Sequence, residues 1–244
     1  MNTVHYFPDI AVLSLKAAEH IVSLIFRTVD INGECSVFLA GGNTPRLCYQ
    51  HMSRLLVSMD RDAQFQNKVH WFFGDERYVE KTHSDRNEKM IRETLFELFS
   101  PDAGNLHFWD SPPVSAAECG ARYNIMLSEF FSSRQPDIAI LGLGADGHTA
   151  SLFPGSEVET QNSLRSALTP QRKENAFAVY IPSSGLYRLT VSALFLKRVR
   201  YSVFLVSGQE KHAAFSRLMQ NDMSLPSAWV VNGQSIFFAT NELQ

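Results

Sequence analysis

Residues Ile138–Leu143 form an apolar run that breaks into Gly144-Ala145-Asp146-Gly147-His148 and then Thr149-Ala150-Ser151-Leu152-Phe153-Pro154-Gly155. An apolar run of this length without alternation reads as a strand buried on both faces, and such strands belong to parallel sheets. The glycines that end it deliver polar side chains to the carboxyl edge of a sheet, where open α/β sheets bind ligands. Asp146 and His148 stand two apart in this turn, so a carboxylate and an imidazole can share one small space. Histidine is the side chain best suited to proton transfer near neutral pH. Glycine-rich turns and Asp-x-His pairs are common, so the stretch alone establishes only a ligand edge. Agreement with other stretches carries it further.

The rest of the chain repeats this punctuation. Pro8-Asp9 opens a first helix, with Asp9 as N-cap and Ile10, Leu13, Ala17, Ile21, Leu24 and Ile25 at helical spacing; Asn32-Gly33 closes it. Ser36–Ala40 reads as a buried strand. It runs into Gly41-Gly42-Asn43-Thr44-Pro45-Arg46, where Thr44 suits an N-cap and Pro45 the first helical position. Val69–Phe73 is a second strand, ended by Gly74-Asp75-Glu76-Arg77. A helix is expected from about Arg86 to Phe99, and a short strand at Leu106–Trp109. The capping box Ser115-Ala116-Ala117-Glu118 starts a helix to about Phe131. Residues 157–176 are polar and irregular and read as a surface excursion. Strands follow at Phe177–Ile181, Ser202–Val206 and Ile236–Ala239, the last compatible with an edge position, with a helix around Glu210–Met219. Strands alternating with helices imply an α/β fold, a largely parallel sheet with helices on both faces. No composition break or repeat divides residues 1–244, so a single domain is expected.

Composition narrows the partners. The net charge is −3 and the pI about 6.2, so no broad basic surface exists for nucleic acid. Cys35, Cys48 and Cys119 form an odd set without a CxxC pair. That argues against a disulfide framework or structural zinc and fits a reducing compartment. The N-terminal stretch lacks a basic segment followed by an apolar signal core, and no apolar run is long enough to cross a bilayer. A soluble, cytoplasmic protein with no membrane partner is expected. Oligomeric state is open, with a monomer or weak homodimer expected.

Four further stretches carry chemistry. Gly41-Gly42-Asn43-Thr44 lies between a strand and a helix, where backbone N–H groups and the helix N-terminus favour a phosphate. The same glycines would also serve a plain tight turn. The pattern is neither G-x-G-x-x-G nor a Walker loop, so dinucleotides and nucleoside triphosphates are not indicated. Asp75-Glu76-Arg77 follows a strand. Three consecutive ionisable residues are not expected to enter the core together, so they form a solvated turn or bring Asp75 or Arg77 to the ligand edge. Arg188-Leu189-Thr190 and Gly208-Gln209-Glu210-Lys211 complete the set. Lys211 stands at a helix start, where a cation opposes the helix dipole unless it has another task, such as holding phosphate. His83 reads as a surface residue. Asp75, His83, Asp146 and His148 are metal-ligand types, but their spacing matches no standard zinc pattern, and no metal is expected. Ser151 lacks the G-x-S-x-G elbow of a serine hydrolase.

Taken together, LAGGNTPR (39–46), WFFGDERYV (71–79), His83 with Asn87, LGLGADGHTASLFPGS (141–156), RLT (188–190) and SGQEK (207–211) resemble the glucosamine-6-phosphate isomerase/6-phosphogluconolactonase family. The pieces occur in family order and span most of the chain. The isomerase branch typically has Asp-Glu-Tyr where Asp75-Glu76-Arg77 stands, and a different run after Gly147-His148. Both differences favour the lactonase branch.

The resemblance implies a modified Rossmann-like fold, no obligatory cofactor, and hydrolysis of a sugar-phosphate lactone in the oxidative pentose phosphate pathway. It implies that Gly41, Gly42, Asn43 and Thr44, with Arg46, Arg188 and Lys211, hold the 6-phosphate. It implies that His148, Asp146, Asp75 and Arg77 surround the lactone, with Asp146 or Asp75 orienting His148. Family members usually have Ser where Asn43 stands, and often Ser where Arg86 stands. Arg86 is left to add an anion contact or to face solvent. The rival readings are a sugar-phosphate isomerase or deaminase and a non-catalytic sugar-phosphate sensor.

Overall fold

The computed structural model describes residues 3–58, 63–160 and 163–244. In chain order, β1 (Thr3–Phe7) leads to α1 (Ile10–Asn32), whose N-cap Asp9 accepts from Val12 N at 2.9 Å. Gly33, at φ +83°, closes that helix in the left-handed conformation that glycine adopts without steric cost. β2 (Cys35–Leu39), buried at every residue, precedes α2 (Thr44–Ser58) and the short α3 (Ala63–Gln66). β3 (Val69–Phe73), β4 (Asp75–Arg77), α4 (Asn87–Arg92) and β5 (Leu106–His107) follow. Ser115 caps α5 (Ala116–Phe130) through Glu118 N, and β6 (Ile138–Gly142) comes next. β7 (Glu157–Thr160), β8 (Ser163–Ala167), β9 (Ala176–Ile181) and β10 (Leu186–Val191) form a run of strands. The chain ends with α6 (Ala193–Lys197), β11 (Tyr201–Val206), α7 (His212–Met219), α8 (Pro226–Val230) and β12 (Ser235–Thr240).

Seven strands form one sheet in the order β1-β12-β11-β6-β2-β3-β5, and every pairing in it is parallel. From β2 the chain winds outward through β3 and β5. It then returns to β6 on the other side of β2 and winds outward through β11 and β12. The order therefore reverses between β2 and β6, and the loops leaving these two strands open a crevice at their carboxyl ends. Helices cover both faces. Successive residues of β12 point to opposite sides; Phe238 meets His20 of α1, and Phe237 meets Phe215 of α7.

Several expectations need correction. β12 is not an edge strand, because β1 pairs outside it. Within 157–176 the chain forms β7 and β8 rather than an irregular excursion (161 and 162 lie outside the described residues). They belong to a second, antiparallel sheet, β4-β10-β9-β7-β8, which packs on α5. The helix expected to reach Phe99 ends at Arg92, after which irregular turns bring both Phe96 and Phe99 onto Trp71. Asp75-Glu76-Arg77 is not a solvated turn. It is strand β4, with Asp75 8% and Glu76 1% exposed.

Candidate active site

The crevice between β2 and β6 holds a cleft of about 320 Å³. The loop after β2 lines it with Gly41, Gly42, Asn43 and Thr44; β4 adds Asp75 and Arg77; the turn after β6 adds His148 and Ser151. Arg188 of β10 and Lys211 of the turn after β11 complete the wall. Two expected residues do not line it. Arg46 is exposed on the first turn of α2, and Asp146 stands behind His148. A wider, shallower hollow of about 900 Å³ lies at the opposite, amino edge of the sheet, and no carboxylate or imidazole lines it.

Asp146 Oδ1 is 2.6 Å from His148 Nδ1 and also accepts from His148 N at 3.1 Å. Burial pushes the Asp146 carboxyl up, but the hydrogen bonds and charge of His148 outweigh it, and the net shift is downward. An ionised carboxylate only accepts, so Nδ1 carries the proton and neutral His148 keeps its lone pair on Nε2. Phe153 stacks on the ring with centroids 4.0 Å apart. The turn is built to admit this pair. A side chain on Gly144 would overlap the imidazole, and Gly147, at φ +85°, packs on Leu225. Ala150 also stands at positive φ, +48°, a strained conformation for a residue with a Cβ.

Asp75 does not touch His148 through any hydrogen bond among the described residues. Its Oδ2 accepts from Ser151 Oγ at 2.7 Å and its Oδ1 from Asn87 Nδ2 at 3.2 Å. Ser151 N in turn donates to Thr190 Oγ1 at 3.3 Å. Asp146 is therefore the partner of His148, and Asp75 is held separately, its carboxylate fixed at the cleft wall. Ser151, Thr190 and Asn87 make up this support. All three sit inside the motif pieces, Ser151 within 141–156, but the sequence gives none of them a bond to Asp75.

Arg77 and Arg188 are register partners across β4 and β10. Arg77 Nη1 donates to Asp85 O at 2.7 Å. Burial first, and then the Arg77 charge, lower the Arg188 pKa. Across the cleft, Lys211 Nζ lies 3.3 Å from Thr44 Oγ1, which joins two motifs far apart in the chain. Burial lowers the Lys211 pKa, with Glu210 opposing. Gly42 stands at φ +92° in the loop, and the buried Tyr49 hydroxyl holds the start of that loop by donating to Ala40 O (2.8 Å) and accepting from Ala40 N (2.9 Å).

The remaining expectations concern the segment after β4. His83 is exposed and accepts from Asp85 N at 3.2 Å, on the outside of the loop. Asp75, His83, Asp146 and His148 thus do not converge, and the described residues contain no group of three or more His, Cys, Asp or Glu placed to hold a metal. Arg86 neither reaches the cleft nor faces solvent: it is 1% exposed. Glu76 Oε1 accepts from Arg77 N and Asn87 N, each at 2.7 Å, and Oε2 from Glu88 N at 2.9 Å, so this carboxylate caps α4. Burial pushes the Glu76 carboxyl up to about 7, against these donors and Arg86.

An α/β protein with a crevice at the switch point of its parallel sheet, lined by a glycine loop, an Asp-supported imidazole and arginine and lysine side chains, is of the class that binds a small ligand there. The chain belongs to the glucosamine-6-phosphate isomerases/6-phosphogluconolactonase family, whose model matches residues 8–238. It is 28% identical over 238 residues to 6-phosphogluconolactonase of a Nostoc species, covering 94% of this chain and 91% of the relative. It is 32% identical over 198 residues to 6-phosphogluconolactonase of Thermotoga maritima, covering 80% and 78%. The crystal structure of 6-phosphogluconolactonase from Leishmania guyanensis superposes with a TM-score of 0.82 at 20% identity, over 100% of this chain and 97% of that one, and so shares the fold.

Proposed function

We propose that this protein hydrolyses 6-phospho-D-glucono-1,5-lactone to 6-phosphogluconate, a step of the oxidative pentose phosphate pathway. One observation carries the reading. His148, backed by Asp146, lines the same cleft of about 320 Å³ as Lys211 and Thr44 of the glycine loop. This supports a general base and a phosphate anchor acting on one small ligand.

His148 Nε2 takes a proton from water as the water oxygen attacks the lactone carbonyl. Asp146 stabilises the imidazolium so formed. The Arg77 guanidinium supplies positive charge where the oxyanion develops, with backbone N–H groups of the glycine turn as rival donors. Arg188, read from the sequence as a phosphate ligand, is assigned here beside Arg77 because the two are register partners across β4 and β10. Collapse of the tetrahedral intermediate breaks the bond to the ring oxygen, and imidazolium His148 protonates that oxygen. Lys211, Thr44 and the backbone of Gly41–Asn43 grip the 6-phosphate and fix the attack geometry. We also read the protein as cytoplasmic; its three buried free cysteines support this, and no helix among the described residues is long and apolar enough to cross a membrane.

The test is loss of freshly generated lactone, corrected for spontaneous hydrolysis, beside ammonia release from glucosamine 6-phosphate. Accelerated lactone loss without ammonia supports the reading. Ammonia release without lactone loss assigns the isomerase branch instead.

A further inference from the structure

Arg86 takes no part in the chemistry above, yet its guanidinium is almost wholly buried. Burying a guanidinium is costly unless its donors are satisfied. Here Nη2 donates to Trp109 O (2.8 Å), Nη1 to Val79 O (3.3 Å) and Nε to Glu88 Oε2 (3.1 Å), with Glu76 Oε2 3.9 Å away. The fork thus ties both ends of segment 78–86 to the chain that follows β5.

Both sequence neighbours of Arg86 touch the site. The Asp85 carbonyl accepts from Arg77 Nη1, and Asn87 Nδ2 donates to the Asp75 carboxylate. Residues 80–85 are all exposed. Within the loop, Arg86 N donates to His83 O and Asp85 N to His83 Nδ1, each at 3.2 Å; the buried anchorage of the Asp85–Arg86 peptide comes from Arg86, the end of the segment next to it.

We propose that Arg86 is a positioning residue: by fixing the Asp85 carbonyl it aims the Arg77 guanidinium into the cleft. The inference rests on the lactonase reading for its kinetic test and on geometry alone for its structural one. A lysine cannot substitute, because it has no planar fork to span the Trp109 and Val79 carbonyls.

Arg86→Lys keeps the buried positive charge and removes the fork. Losing one oxyanion donor typically costs ~10²–10³ in kcat, and a donor that is misaimed costs less. Turnover should fall about tenfold with KM within about twofold, the signature of an interaction made in the transition state. In an Arg77→Lys background, Arg86→Lys should change turnover by less than about twofold. Glu88→Gln loosens the same fork from a half-buried position and should show the same pattern at about threefold, which keeps the test open if Arg86→Lys does not fold. Full turnover in folded Arg86→Lys, or equal losses with and without Arg77, would overturn the inference. A crystal structure of either variant gives the second readout. The contact between Arg77 Nη1 and Asp85 O should be lost, and an intact contact overturns the inference. A wild-type protein inactive on the lactone sinks the functional reading instead, and the structural readout still decides this one.

Discussion

Arg77 and Arg188 stand opposite each other on neighbouring antiparallel strands, and among the described residues neither forms an ion pair with a carboxylate. Like charges directly opposite destabilise a sheet. Asp75, Asp85 and Glu76 offset part of this repulsion, and on the proposed function a bound anion offsets more. Arg188→Met should leave the free protein at least as stable as wild type while raising KM at least about fivefold and lowering kcat, because a hydrogen bond between charged partners contributes ~1.5–3 kcal/mol. Thermal unfolding and steady-state kinetics check this together. A large loss of stability with unchanged kinetics would make Arg188 merely structural.

Lys211 should behave differently. It lies 3.3 Å from Thr44 of the glycine loop, which the proposed function assigns to the 6-phosphate rather than to the reacting carbonyl. Lys211→Ala should raise KM for the phosphorylated lactone about tenfold and leave kcat within about threefold, the pattern of lost uniform binding. An unphosphorylated gluconolactone should show no such change, and equal effects on both substrates would remove Lys211 from the phosphate.

The Asp146–His148 hydrogen bond sets which ring nitrogen holds the proton. Asp146→Asn keeps the shape and gives Nδ1 a partner that no longer demands a donor, so turnover should fall about tenfold to a hundredfold, less than the ~10²–10⁴ that general acid–base catalysis supplies in full. Gly144→Ala should be as damaging in a folded protein, because its new methyl group displaces the imidazole. Measured kcat near wild type in either variant would contradict the assigned geometry.

Stability should show an acid limb traceable to His107. Burial first, and then the charge of His70, lower its pKa from 6.5 to about 4. The folded value lies below the unfolded one, so the unfolded chain takes up the proton first. The contribution is fully present above pH 6.5 and is lost as pH falls through about 4. His107→Phe keeps the stack on Phe72 and removes the titration. Urea unfolding at several pH values should give the variant a shallower acid slope, and an unchanged slope would place the acid sensitivity elsewhere.

The parallel sheet was legible because each of its central strands is short, apolar and ended by glycine. Val69–Phe73 matches β3 to the residue, and the Asp9 and Ser115 caps stand where their side chains required. The second sheet was not legible. β4 is three charged residues long, and β7 and β8 are polar, so no apolar period marks them; their pairing with β9 and β10 is a tertiary fact. The cleft wall was largely legible from glycines and charges at strand ends. What supports it was not. From the sequence Glu76 belongs to a solvated turn and Arg86 either contacts an anion or faces solvent; the chain between β4 and α4 buries both instead. Ser151 acquires a role only when β6 and β4 bring it to Asp75. Arg46, on the first turn of α2, is exposed and is not among the residues that line the cleft.

The most direct measurement is the rate of 6-phosphogluconolactone loss with wild-type protein and with His148→Ala, at saturating substrate and corrected for spontaneous hydrolysis. The account predicts clear acceleration by the wild type and at least a hundredfold lower kcat in the variant, the low end of the ~10²–10⁴ expected for a general base, with KM little changed. Acceleration that survives in His148→Ala within about threefold would take the proton transfer away from His148 and with it the proposed chemistry.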